Sequence, residues 1–238
     1  MWRIIESGSE SPEMNMAVDE SILHSVSKGA RPTIRLYAWD QPAVSIGIAQ
    51  DASIVKGKIS IVRRPTGGNA VFHHKKDFTY SVAAPKKLFC NDFSTAYESI
   101  SRCVLDAINC VSQKKAAIAE KRDIVICKKK VCGNAMDFSG KNAFLLHGAV
   151  FYNDSSEEIA RLFNEKPKAA FLSGYAKSSA EFYSALKKSF EKFAGDYCYE
   201  KLSTEEKKQA KKLAKEKYSD PNWHAPAKKG TICAGDLK

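Results

Sequence analysis

Arg63-Arg64-Pro65-Thr66-Gly67-Gly68-Asn69-Ala70-Val71-Phe72-His73 joins two apolar stretches through a turn suited to an anion. Residues 59–63 read as a strand that ends in arginine, and residues 69–73 as the strand that follows. Glycine has no Cβ, so the backbone at Gly67 and Gly68 can come close to a ligand. Successive N–H groups in such a turn form an anion-binding concavity, and a guanidinium beside it adds charge-assisted hydrogen bonds. A two-glycine turn alone is usually a plain hairpin. Two arginines before it and a histidine after it point to a phosphate.

Outward from this run, residues 33–39, 43–48 and 78–84 also read as strands, and the short links imply antiparallel hairpins. Ser11, Pro12 and Gly29 bracket a first helix striped by Met14, Val18, Ile22 and Val26. A second helix, 93–109, carries Tyr97, Ile100, Val104, Leu105 and Ile108 on one face. Strands are expected at 123–127, 130–136 and 142–153. Three later helices open on capping-box spacings, Ser155 with Glu158, Ser178 with Glu181 and Ser203 with Glu206. This order predicts an α+β domain, helices packed on a largely antiparallel or mixed sheet, over residues 1–220, with 221–238 a flexible tail.

Composition narrows the function. The chain has 238 residues, 44% hydrophobic, enough for a substantial core. No apolar run reaches the roughly 18 residues of a membrane span. The N-terminus lacks a signal-peptide core, so the expected compartment is the cytoplasm. Seven cysteines stand singly, at 90, 103, 110, 127, 132, 198 and 233, without the pairing of a zinc site or disulfide framework. The net charge of +11 is uneven: residues 114–130 hold seven basic and two acidic side chains, residues 200–229 nine lysines and five acids. The second block reads as a solvated helix face. No nucleic-acid-binding motif accompanies the charge, so neither nucleic acid nor membrane is an expected partner.

The 63–73 run resembles the Arg-Arg-x-[Ser/Thr]-Gly-Gly-Gly-Ala-Val-Phe-His-Asp motif of lipoate–protein ligases, in the biotin/lipoate ligase superfamily. Lys130-Val131-Cys132-Gly133-Asn134-Ala135 and His147-Gly148 resemble the family's lysine segment and later His-Gly; Ser45-Ile46-Gly47-Ile48-Ala49-Gln50 is a looser match. The resemblance implies a biotin/lipoate ligase-like (class II synthetase-like) catalytic domain. Its activity would be ATP-dependent activation of lipoate to lipoyl-AMP, with Mg²⁺, and transfer to a lysine of an acceptor. Implied acceptors are the lipoyl domains of 2-oxoacid dehydrogenase complexes or the glycine cleavage H protein. Some short family members need an accessory subunit, and the expectation here is a chain without a C-terminal accessory domain of its own.

Carried over residue by residue, the resemblance makes Lys130 catalytic. It gives Arg64, Thr66, Gly67, Gly68, Asn69, His73, Asp77 and Asp123 to the nucleotide, and Gly133, Asn134, Ala135 and His147 to the acyl group. Asp77 is also a candidate Mg²⁺ ligand. Three positions depart from the motif: Asn69 replaces a glycine, His74 an aspartate and Asp77 an asparagine. Residue types alone leave other readings open. Lys128, Lys129 and Lys130 form a run of the kind that usually faces solvent; His73 and His147 suit a satisfied structural histidine; Asp123 suits a surface site. Alternation assigns Arg63 to the opposite, structural face and puts Cys132 on the Lys130 face. Octanoyl transfer from acyl carrier protein through a cysteine thioester is the second reading, although no cysteine stands near residue 115, where the transferases of this superfamily would carry it. A non-catalytic ligase-like binding protein is the third.

Overall fold

The computed structural model describes residues 1–120 and 122–225. In chain order the elements are β1 (Trp2–Glu10), α1 (Pro12–Ser27), β2 (Thr33–Trp39), β3 (Ala43–Ile46), β4 (Ser60–Arg63), β5 (Val71–His73), β6 (Phe78–Pro85), α2 (Phe93–Val111), β7 (Ala116–Ile118), β8 (Ile124–Ile126), β9 (Lys129–Asp137), β10 (Ala143–Val150), α3 (Ser156–Phe163), α4 (Ser179–Ala194), β11 (Tyr197–Tyr199), α5 (Thr204–Leu213) and α6 (Pro221–His224). Eight strands form a mixed sheet ordered β11-β1-β2-β6-β10-β9-β8-β7, and three form a smaller one, β4-β3-β5.

Alternation along the strands gives the large sheet two apolar faces. Ile4, Val82, Phe144 and Leu146 belong to the core shared with α2 and α4, where Ile100, Val104, Phe182 and Phe190 pack. Their neighbours Ile5, Ala83 and Leu145 belong to the core shared with α1 and α5, with Met16, Ile22 and Ala210. The small sheet has its own cluster of Val44, Ile46, Phe72 and Leu162. No helix among the described residues is long and apolar enough to cross a membrane.

Four expectations change. β4 and β5 do not pair as a hairpin: β3 lies between them, parallel to β4 and antiparallel to β5, because the turn is long enough to cross β3. β1 has a half-polar sequence that gave no strand signal, and it runs parallel to both β2 and β11. A full capping box forms only at Ser203 and Glu206; Ser178 caps Glu181 from one side, and the Ser155 hydroxyl donates to the Asn153 carbonyl instead. The expected tail begins too early, since Trp223 and His224 of α6 hydrogen-bond to Arg63. Residues 226–238 of that tail lie outside the described residues.

Candidate active site

A cavity of about 290 Å³ lies between α1, the small sheet and the β6, β10 and β9 strands. That is near the lower end of small-molecule sites, roughly 300–1,000 Å³. One wall is the turn after β4. Arg64 is 4% exposed and fills the turn from inside. Its guanidinium donates to the carbonyls of Gly67 at 2.6 Å, Asn69 at 2.8 Å and Ser45 at 3.0 Å. Burial lowers its pKa to about 10, so it stays cationic at neutral pH. Because Arg64 gathers the carbonyls, the amides of Gly67, Gly68 and Asn69 have no protein acceptor among the described residues. Gly68 and Asn69 line the cavity.

Lys130 stands on the other wall. Its Nζ lies 2.9 Å from Asp123 Oδ1, both side chains about one-third exposed. A bulge aims it there: Val125 pairs with Lys130 but Ile124 pairs with Cys132, so Val131 is an extra residue. The bulge corrects the expectation for Cys132, which joins the core on the α2 side while Lys130 and Gly133 line the cavity. Gly133 is required by this placement, since a Cβ there would sit 2.5 Å from Lys130 Cε and 2.6 Å from Nζ. The main chain of residues 168–170 runs beside the lysine, with Lys130 N–H donating to the Lys168 carbonyl and Ala170 N–H to the Lys130 carbonyl.

The floor is a buried polar network. His147 Nε2 lies 2.6 Å from Thr66 Oγ1 and its Nδ1 lies 3.2 Å from Asp19 Oδ2. Asp19 also accepts from Arg35, Tyr37 and Ser81. Burial opposes its charge, but Arg35 and the His147 ring outweigh burial and hold the carboxyl below the usual range. An ionised Asp19 keeps a proton on Nδ1 of His147 and so orients the ring, with Nε2 facing the Thr66 hydroxyl. His73 stacks on Trp39 at 4.0 Å and lies 2.8 Å from the Ser45 hydroxyl. Burial, then the charges of Arg64 and His147, push its ring well below the usual histidine range, so it is neutral. Its Nδ1 is buried without a partner among the described residues.

The cavity therefore brings together Arg64, Gly68, Asn69, His73, Asp123, Lys130, Gly133, Asn134, Ala135 and His147. Three candidates stand elsewhere. Thr66 is buried behind His147, and Gly67 is exposed on the outer side of the turn. Asp77 does not line the cavity; its oxygens accept from the backbone N–H of His74 and Tyr152. Burial raises its pKa to about 7 against those bonds. Asp77, expected at the nucleotide and Mg²⁺, is thus placed as a clamp between two loops and not in the cavity lining. No group of three or more histidine, cysteine or acidic residues that could hold a metal exists among the described residues. Asp19, Tyr37, Trp39 and Tyr97 escaped the sequence reading. Asp19 in particular sits in an ordinary amphipathic helix, and nothing local marks it.

Among the described residues no cysteine lines the cavity. Cys132 is fully buried against the Tyr80 hydroxyl, and burial pushes its thiol up to about 12. Cys110, the cysteine nearest residue 115, is exposed at the end of α2, and Cys90 and Cys127 are exposed. Cys233 lies outside the described residues.

The comparisons with known proteins agree on the family. The lipoyl protein ligase A/B catalytic domain model matches residues 11–204. The octanoyltransferase LipM of Geobacillus kaustophilus is 30% identical over 281 residues, covering 94% of this chain and 98% of its own. That of Halalkalibacterium halodurans is 29% identical, with the same coverage. Among solved structures, the bipartite lipoate protein ligase of Thermoplasma acidophilum, reported with its E2 lipoyl domain, superposes with a TM-score of 0.83 at 23% identity, covering 97% of this chain and 98% of that one. A lipoate–protein ligase A bound with ATP superposes with a TM-score of 0.79 at 23% identity, covering 94% and 97%. At such identities the superpositions speak for the fold; the family match and the sequence relatives carry the assignment, and this chain belongs to the lipoyl protein ligase A/B catalytic domain family.

Proposed function

We propose that the chain is an ATP-dependent lipoate–protein ligase. The supporting observation is that the Arg64-held turn and Lys130 border one cavity, which no cysteine among the described residues lines. In the first step the lipoate carboxylate attacks the α-phosphorus of ATP, and pyrophosphate leaves. In the second the amine of an acceptor lysine attacks the acyl carbonyl of lipoyl-AMP, loses a proton and displaces AMP. The free amides of Gly68 and Asn69 suit the phosphate, held in place beforehand by Arg64. Lys130 Nζ suits the bridge between acyl carbonyl and phosphate, with Asp123 directing it. The rings of His73 and His147, with Trp39 and Met16, enclose the acyl end. Mg²⁺ typically uses few protein ligands together with substrate phosphates, so in this reading it arrives with ATP as Mg-ATP. The expected acceptors are lipoyl domains of 2-oxoacid dehydrogenase complexes or the glycine cleavage H protein, with an accessory subunit as a further partner.

The curated relatives favour a second reading, octanoyl transfer from acyl carrier protein. That reaction needs a nucleophile with a lowered pKa in an electropositive setting, and Cys132 has the opposite environment. One experiment separates the two. The full chain is incubated with lipoate, Mg-ATP and an acceptor domain, with and without an accessory subunit, while pyrophosphate release and acceptor mass are followed. A lipoyl gain that requires ATP is expected. Octanoyl transfer from carrier protein without ATP, lost on replacing one cysteine, overturns the ligase reading.

A further inference from the structure

Arg63, the neighbour of Arg64, is 2% exposed and, among the described residues, contacts six backbone carbonyls and no carboxylate. Its Nη1 donates to Gly47, Ile48 and Gln50 at 3.0, 2.8 and 2.6 Å. Its Nε donates to Trp223 at 2.8 Å, and its Nη2 to His224 and Ala225, each at 3.1 Å. The contact is reciprocal: Trp223 Nε1 donates to the Arg63 carbonyl at 2.9 Å, and Arg63 N–H donates to His224 Nδ1 at 3.2 Å. His224 must then present Nε2–H to the Tyr218 carbonyl, 2.8 Å away. The loop gripped by Nη1 supports the anion turn directly. Ile48 N–H donates to the Thr66 carbonyl, and a Cβ on Gly47 would run into the Gly68 carbonyl. An unbroken series of contacts thus leads from α6 through Arg63 and residues 47–50 to the turn at 66–69. The C-terminal part of this series lies beyond the family model, which ends at residue 204.

We infer that residues 214–225 are a positioning element for the anion turn, acting through Arg63, so that the docked C-terminal segment sets the affinity of the site for the nucleotide. The affinity part of this inference rests on the ligase reading; the positioning part does not. The test is hydrogen exchange on the full chain with Trp223→Ala, with ATP kinetics alongside. The bonded amides of Ile48, Gln50 and Arg64, which tie the supporting loop to the turn, should exchange about tenfold faster while β6 and β10 stay protected, because the opening is local. KM for ATP should rise about fivefold while kcat changes less than about twofold. Arg63→Lys should give the same phenotype, and the double variant should be no worse than Arg63→Lys alone. If Trp223→Ala fails to fold, Trp223→Phe removes the N–H donor while keeping an aromatic ring in place, and should show the same pattern in weaker form. Unchanged exchange at Ile48, Gln50 and Arg64 with α6 released overturns the inference. Faster exchange at those amides in a protein that never consumes ATP upholds the positioning and rejects the ligase reading.

Discussion

On one side of the cavity Arg64 is 4% exposed, and its contacts all go to the main chain and Ser45; on the other Lys130 is one-third exposed and holds a single carboxylate. Both are cations facing the same space, yet their surroundings differ in kind. Arg64 is a strut: burial and carbonyl acceptors lock it, and what it presents to a ligand is the set of amides it leaves free. Lys130 is a movable charge, aimed by a bulge and restrained by Asp123, with water able to screen it. A preorganised wall costs little reorganisation when phosphate arrives, whereas a lysine on a flexible stem can follow charge from carbonyl to phosphate.

The comparison breaks most sharply on replacing the movable charge. Lys130→Ala should lower kcat by about a thousandfold or more, while thermal unfolding changes by about 2 °C or less, since no buried group loses its partner. Full activity in that variant would falsify the placement of the lysine. Arg64→Ala should behave oppositely. It leaves buried carbonyls unsatisfied and should cost about 3 kcal/mol or more, roughly 6–12 °C in melting temperature, together with ATP-dependent activity. A stable Arg64→Ala protein would show that the turn does not need its strut. Gly133→Ala tests the aim of the lysine without touching its charge. The added methyl displaces Cε and Nζ, and kcat should fall about 10- to 100-fold with the fold intact.

Smaller effects concern groups outside the cavity. Asp77 has a folded pKa of about 7, raised from an unfolded value of 3.8. Between those values the folded state holds a proton that the unfolded state lacks. Its stabilising effect is full below the unfolded pKa and falls as pH rises from 3.8 towards about 7, with a slope approaching about 1.4 kcal/mol per pH unit inside that window and none above it. Denaturant titrations across that range should show the slope in the wild type and its loss in Asp77→Asn. Cys132→Ala should leave ATP-dependent activity unchanged and cost about 1 kcal/mol, the price of one small core vacancy. Loss of acyl transfer in that variant would instead favour the thioester reading.

What was legible in the sequence followed local chemistry. Glycine, proline and paired arginines marked the turn and its flanking strands, and the motif register picked Lys130 from three adjacent lysines. The rest depends on partners distant in the chain. The bulge at Val131 exists only in the register between β8 and β9, so plain alternation put Cys132 on the wrong face. Asp19 acquires its role from Arg35, Tyr37, Ser81 and His147, which β2, β6 and β10 bring to it. Asp77 sits within the extended motif, but its oxygens are taken by two amides, one of them from Tyr152, far along the chain. Arg63 looked structural by alternation, and it is, but its C-terminal acceptors could not be read from spacing.

The claim that two unlike walls grip one acyl-adenylate is tested most directly by calorimetric titration of a non-hydrolysable acyl-adenylate analogue into the wild type and Lys130→Ala. The account predicts tight binding to the wild type and a loss of about a hundredfold in the variant, as removal of a charge-assisted contact on a preorganised site implies. Equal affinity in the two proteins would contradict it.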